Sequence, residues 1–318
     1  MKRIISMLIC ISFVLAIGGC SWFGQQKKPQ LTPDQPKAVT MAEPNITVYM
    51  HETGEKKEMK FEEYIAGVVA GEMRNDWPVE ALAAQAIVAR TFTVHEIDKK
   101  GGVKARGTQA STDIKEFQAY NAKEINDNVR KAVDMTRGMV MVYGGEAALT
   151  WFHASAGGKT ATAKEGLNYK DAEPPYIQVV DSPDEPSAPP GVKSWQATFT
   201  KAEVIQAMGK VGKSVKDITA LEIAQKGPSG RATLLRVNGD VDISGPELRV
   251  AIGSTKLKSM LLDEIKIEGA NVTFSGRGYG HGVGLSQYGA LTMAKEGKKP
   301  EDIAMHYFKG VTVEKRWQ

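Results

Sequence analysis

Glu72 is the residue whose placement most invites a chemical reading. In FEEYIAGVVAGEM, Phe61, Ile65, Val68, Val69 and Glu72 recur at three- and four-residue steps. That spacing predicts a helix with a carboxyl group on its apolar face. A carboxylate there costs free energy unless it is paired, hydrogen-bonded or protonated. Partial desolvation raises its pKa, as a general acid needs near neutral pH. The structural alternative is a helix-end glutamate paired with Arg90 or capping Trp77. Glu62 and Glu63 fall near the opposite side of the same helix.

Further polar residues stand in two glycine-rich settings. His153 and Ser155 occur in WFHASAGG, and His281 in GRGYGHGVG, just ahead of Gln287 and Tyr288. A serine two residues from a histidine invites a nucleophile reading, but no acidic orienter is evident, so hydrolysis through Ser155 is disfavoured. Gly276, Gly278, Gly280, Gly282 and Gly284 alternate with larger residues. Such density weakens a strand and lacks the strand–helix context of a dinucleotide site. It predicts a tight loop carrying His281 and backbone N–H groups to a cleft.

The elements around these residues read as α+β: a helical core combined with antiparallel sheet elements and a packed or inserted α+β subdomain. ITVYM (46–50) is an opening strand, followed by a turn at Glu52-Thr53-Gly54. Asn75-Asp76-Trp77-Pro78 turns the first helix into a second, alanine-rich one that carries Arg90. Residues 121–134 predict a further helix. Runs at 139–142 and 147–152 around Gly144-Gly145 predict a hairpin. Thr200/Glu203 and Ser244/Glu247 have capping-box spacing. Strands are expected at 195–199, 218–224, 232–237 and 272–274, helices at 286–296 and 300–308, and a last strand at 311–313. Residues 192–270 would form the subdomain.

Composition narrows the partners. The chain of 318 residues has 41 basic and 37 acidic side chains, a formal charge of +4. Charges so mixed give no basic footprint for nucleic acid. Lys2 and Arg3 precede an apolar run from Ile4 to Ile17, the layout of a secretory signal peptide. Ile17-Gly18-Gly19-Cys20 resembles a lipoprotein processing site, so residues 1–20 are a lipidated leader (acyl group on Cys20) or an uncleaved membrane anchor. Residues 21–44, with four prolines, form a flexible stalk, and 45–318 the catalytic domain. The folded part holds no cysteine.

FEEYIAGVVAGEM, WPVEALAAQAIVARTF, WFHASAGG and GRGYGHGVGLSQYGA together resemble the successive signatures of the sporulation stage II protein D family, which includes amidase-enhancer proteins. The resemblance spans roughly Ile46 to Val313. It implies a lytic transglycosylase, a peptidoglycan lyase of cell wall remodelling, with its catalytic glutamate at Glu72. It further implies a mother-cell membrane location facing the septal wall during engulfment, a preference for denuded glycan strands, a peptide-stripping amidase partner and a membrane scaffold. Arg90, His153, Ser155, Tyr176, His281, Gln287 and Tyr288 are the expected substrate-binding or supporting residues. Arg90 would orient Glu72 or contact substrate. Tyr176, in PPYIQVVD, is a sugar-stacking or hydroxyl-positioning candidate, or else a core residue. Many relatives have lysine where this chain has Gln178. Some relatives bind zinc through cysteines near the position of His153; here the neighbours are Ala154, Ser155 and Ala156, and no structural zinc or other cofactor is expected. Asp76 is the nearest second carboxylate, with helix capping as its expected role. The alternative function is a noncatalytic glycan-binding enhancer of an amidase.

Overall fold

The computed structural model describes residues 41–318, so the leader, Cys20 and most of the stalk lie outside the described residues. Strand Asn45–Tyr49 opens the fold and alternates as a one-sided strand should, with Ile46 and Val48 buried. It pairs antiparallel with Lys56–Lys60, Ile46 opposite Met59, and parallel with Ala110–Ser111. The second strand corrects the expectation of a bare turn before the first helix. KKEMK carries one apolar side chain, Met59, and that alone is buried, so this edge strand shows no period in sequence.

Helix α1 (Phe61–Glu72) and helix α2 (Val79–Lys100) meet at the Arg74–Pro78 corner. Pro78 is the N-cap of α2, and Gly101, at φ 73°, closes it in the left-handed conformation that favours glycine. Most of α2 from Ala81 to Val94 is buried, because α1, the helices Asp127–Met135, Gln287–Lys295 and Pro300–Tyr307, and strand Met139–Tyr143 surround it. It is a central core helix rather than an amphipathic surface one. Gly71 of α1 is required by a close approach: a Cβ there would lie 2.7 Å from the backbone nitrogen of Tyr120.

Helix α3 (Asp127–Met135) starts later than expected, after a 3-10 turn at Ala122–Glu124, and is capped by Asn126. Met139–Tyr143 forms a hairpin only with Glu146–Ala147, and pairs on its other side with the last strand, Thr312–Lys315. The long second arm expected at 147–152 is therefore a correction. Beyond Ala148 the chain leaves that sheet, and Phe152–His153 pairs in parallel with Leu285–Ser286. This pairing lays WFHASAGG beside GVGLSQYG. Two short helices follow, α4 (Ala163–Leu167) and α5 (Pro190–Lys193).

Residues 195–274 enclose a second hydrophobic core, built around Trp195, Phe199, Leu235, Leu248 and Phe274. Its elements include strand Trp195–Thr200, helix α6 (Lys201–Lys210) with a complete Thr200/Glu203 capping box, and the Leu221–Lys226/Ala232–Val237 hairpin. Helix α7 (Gly245–Ile252) is capped by Ser244. Leu262–Glu268, a strand not anticipated, pairs with Asn271–Gly276. The architecture is α+β: helices around α2 with several small sheets. Helices α8 (Gln287–Lys295) and α9 (Pro300–Tyr307) then return the chain to the first core. Among the described residues no helix is long and apolar enough to cross a membrane.

Candidate functional site

Glu72 is the last residue of α1, half-buried at the corner. Its Oε1 accepts the backbone N–H of Ala119 at 2.8 Å, and the Gln287 side chain hydrogen-bonds the same carboxyl group. Burial pushes its pKa from 4.5 up to about 7, with the two hydrogen bonds opposing that rise in part. The negative end of the helix dipole also disfavours the carboxylate. Among the described residues no ion pair involves Glu72. A carboxyl group so placed holds or releases a proton near neutrality.

Gln287 begins α8, whose N-cap is Ser286. The neighbouring Tyr288 donates its backbone N–H to Ala154 O, so the HASAGG loop fixes the start of this helix. The Tyr288 ring meets Trp77, with centroids 5.2 Å apart and planes at 52°. Beside them Arg74 and Asp76 form an exposed 2.6 Å pair. Asp76 thus binds Arg74 instead of capping α2, and that bond holds its pKa below the usual carboxylate range. It is neither a protonated acid nor shielded from water.

Arg90 lies elsewhere. Its fully buried guanidinium clamps Glu62, with Nη2 2.6 Å from Oε2 and Nε 3.0 Å from Oε1. Glu62 Oε1 also accepts the Gly138 N–H and the Trp317 indole N–H. The pairing of Glu72 with Arg90 is corrected, as is the placing of Glu62 on an exposed side. Tyr176 is a core residue: its hydroxyl accepts the Leu149 N–H at 2.7 Å and its ring packs on Tyr143. Gln178 is exposed and donates to Pro175 O.

Ser155 does meet an acid, one the sequence reading missed. Its Oγ donates to Asp184 Oδ2 at 3.0 Å, and Gly157 N–H donates to the same oxygen. Asp184 Oδ1 accepts from Ser182 and Ser286. No imidazole stands between Ser155 and Asp184, so this is a buried hydrogen-bond knot and not a nucleophile–base relay. It joins the HASAGG loop to Ser286, the cap of α8, which immediately precedes the Gln287 that contacts Glu72.

His153 and His281 face each other at 5.5 Å. His153 Nδ1 donates to Val283 O, while His281 Nδ1 accepts the Val283 N–H. Burial, with the Arg249 and Arg231 charges, pushes His281 down to about 3; burial and His281 hold His153 well below its usual value. Both rings are neutral at physiological pH. His153 Nε2 is buried without a hydrogen-bond partner among the described residues. Among the described residues no third His, Cys, Asp or Glu joins the two into a metal-holding group, and the donor set does not fit a four-ligand zinc site. Gly282 lies against the buried Arg231, whose guanidinium holds Ala156 O and Lys159 O, and Ser229 and Arg231 N–H tie in turn to Glu165. The turn of the 221–237 hairpin is thereby fastened to the HASAGG loop.

The elements thus define an α+β protein in which Glu72, Gln287, Trp77 and Tyr288 gather at the α1–α2 corner and the start of α8. Residues 49–143 match the stage II sporulation protein family, and residues 169–284 match a domain of unknown function. The chain is 32% identical over 284 residues to stage II sporulation protein D of Bacillus subtilis (strain 168), covering 85% of this chain and 78% of that one. It is likewise 32% identical over 257 residues to an uncharacterized protein of Brachyspira hyodysenteriae, covering 80% of this chain and 67% of the relative. An amidase enhancer of Bacillus subtilis is 29% identical over 293 residues, covering 78% of this chain and 40% of the enhancer. The chain belongs to the stage II sporulation protein D family.

Proposed function

We propose that this chain is a peptidoglycan lytic transglycosylase with Glu72 as its acid and base. The observation that carries the reading is a half-buried carboxyl group with a pKa near 7, held by two hydrogen bonds and lacking an ion-pair partner among the described residues. The substrate is the β-1,4 bond between N-acetylmuramic acid and N-acetylglucosamine. Protonated Glu72 donates to the glycosidic oxygen as the bond breaks. As carboxylate it accepts the proton of the muramyl C6 hydroxyl while that oxygen attacks C1, giving a 1,6-anhydromuramyl end. The nucleophile belongs to the sugar itself, so proximity replaces the second carboxylate of an ordinary glycosidase. That requirement is consistent with Asp76 being tied to Arg74.

In this reading Gln287 and the Ala119 N–H steady the carboxylate formed after the first transfer. His153, Ser155, Tyr176 and His281 support the framework, and Arg90 does so through Glu62. Incubating the folded protein with peptide-free glycan strands, with Glu72→Gln as control, tests the reaction by mass spectrometry of the products.

The similarity to an amidase enhancer favours a second reading, in which the same face binds glycan and stimulates an amidase without chemistry at Glu72. Equal stimulation of an N-acetylmuramoyl-L-alanine amidase by wild type and Glu72→Gln, with no new glycan ends from either, would select it. Both readings use an extracytoplasmic, membrane-tethered protein, acting on the septal wall in a sporulating cell. Intact-mass analysis of membrane-extracted protein tests the tether: loss of residues 1–19 with a lipid adduct on Cys20 supports lipidation, and a full unmodified leader supports the uncleaved anchor.

A further inference from the structure

We infer that Trp77 and Tyr288 form a saccharide platform that stacks an N-acetylhexosamine ring of a β-1,4 strand next to Glu72, an inference that rests on the glycan reading above. Two observations point there. Trp77 sits at the corner directly after α1, whose last residue is Glu72, and Tyr288 follows the Gln287 that touches the Glu72 carboxyl. Two independent stretches of chain thus bring aromatic rings together, one just after Glu72 in sequence and one next to its Gln287 partner.

The rings are not stacked flat on each other. At 5.2 Å and 52° they form a tilted pair, and both side chains are half-buried, so each keeps an accessible part. Their polar ends are also free: neither the Trp77 indole N–H nor the Tyr288 hydroxyl bonds any described residue. By contrast, the buried Trp195 and Trp317 indoles donate to Gly278 O and Glu62. An apolar ring with a polar tip that no described residue engages suits a partner that offers both a C–H face and hydroxyls. A β-linked pyranose with equatorial substituents presents both, and the exposed Arg74–Asp76 pair adds further hydrogen-bonding groups at the rim.

The test measures binding apart from chemistry, using tetra-N-acetylchitotetraose and proteins that all carry Glu72→Gln. Titration calorimetry should show Trp77→Ala and Tyr288→Ala each weakening binding about tenfold or more, a change of ~1.4 kcal/mol. Trp77→Phe, which keeps an aromatic face, should bind nearly as the parent does, yet lose the sugar-induced change in tryptophan emission. Wild-type affinity in folded alanine variants, or a persistent emission change in Trp77→Phe, would overturn the platform while leaving the glycan reading intact. If the alanine variants do not fold, the Phe variant alone decides. Failure of the parent to bind the tetrasaccharide would overturn the glycan reading and the platform with it.

Discussion

Arg90 is bonded to Glu62, not to Glu72: its Nη2 lies 2.6 Å from Glu62 Oε2, with both side chains sealed from water. Glu62 also receives Trp317 from near residue 318 and Gly138 from just before a strand, so three segments converge on the carboxylate of a fourth. Removing one partner leaves a buried charge. Arg90→Met should therefore cost about 3–5 kcal/mol, and Glu62→Gln a similar amount. Urea denaturation checks this, and the double variant should cost less than the sum of the singles. Unchanged stability in Arg90→Met would mean that the pair has no structural role.

Glu72 should oppose stability at neutral and alkaline pH. Its pKa in the folded chain is about 7 against 4.5 for the free group, so between those values the folded state binds more protons than the unfolded one. Stability from this group is complete below about pH 4.5 and declines as pH rises through 7. Glu72→Gln should accordingly melt higher than wild type at pH 8 and at nearly the same temperature at pH 4. A melting difference independent of pH would contradict the raised value.

If Glu72 is the acid, as proposed, its proton sets the alkaline limb of cleavage. Rate should fall about tenfold per unit well above pH 7, because only the protonated form donates. Gln287→Ala removes a hydrogen bond that favours the carboxylate, so the limb should move to higher pH. A limb that stays in place would separate Gln287 from the acid.

Ser155→Ala should retain glycan cleavage and lose only about 1 kcal/mol of stability, the worth of one hydrogen bond. Asp184→Ala should cost more, since Ser155, Gly157, Ser182 and Ser286 all lose their shared acceptor. Activity and melting temperature of the two variants check this. Abolished turnover in a stable Ser155→Ala protein would reinstate a nucleophile.

Local patterns were readable where they have a period or a cap. The 3.6-residue stripe identified α1 with Glu72 on it, and capping-box spacing located α6, where the box is complete, and α7, where only the Ser244 cap forms. Partners brought in from afar were not readable. Glu62 looks solvent-facing on its own helix and is buried only because Arg90, Gly138 and Trp317 arrive from elsewhere. Asp184 sits in the proline-rich DSPDEPSAPP, which reads as a compositional break, yet its carboxylate collects four donors. KKEMK lacked any alternation because an edge strand needs only Met59 inside. LDEIKIE, in contrast, does alternate between apolar and polar, so the 262–268 strand was available to a closer reading.

The most direct measurement of the central claim is the product of peptide-free glycan strands treated with wild type and with folded Glu72→Gln. Chromatography with mass spectrometry should find 1,6-anhydromuramyl ends from wild type and none above background from the variant. Anhydromuramyl ends produced at the wild-type rate by Glu72→Gln, or only reducing muramic ends from wild type, would contradict Glu72 as the acid and base of a lytic transglycosylase.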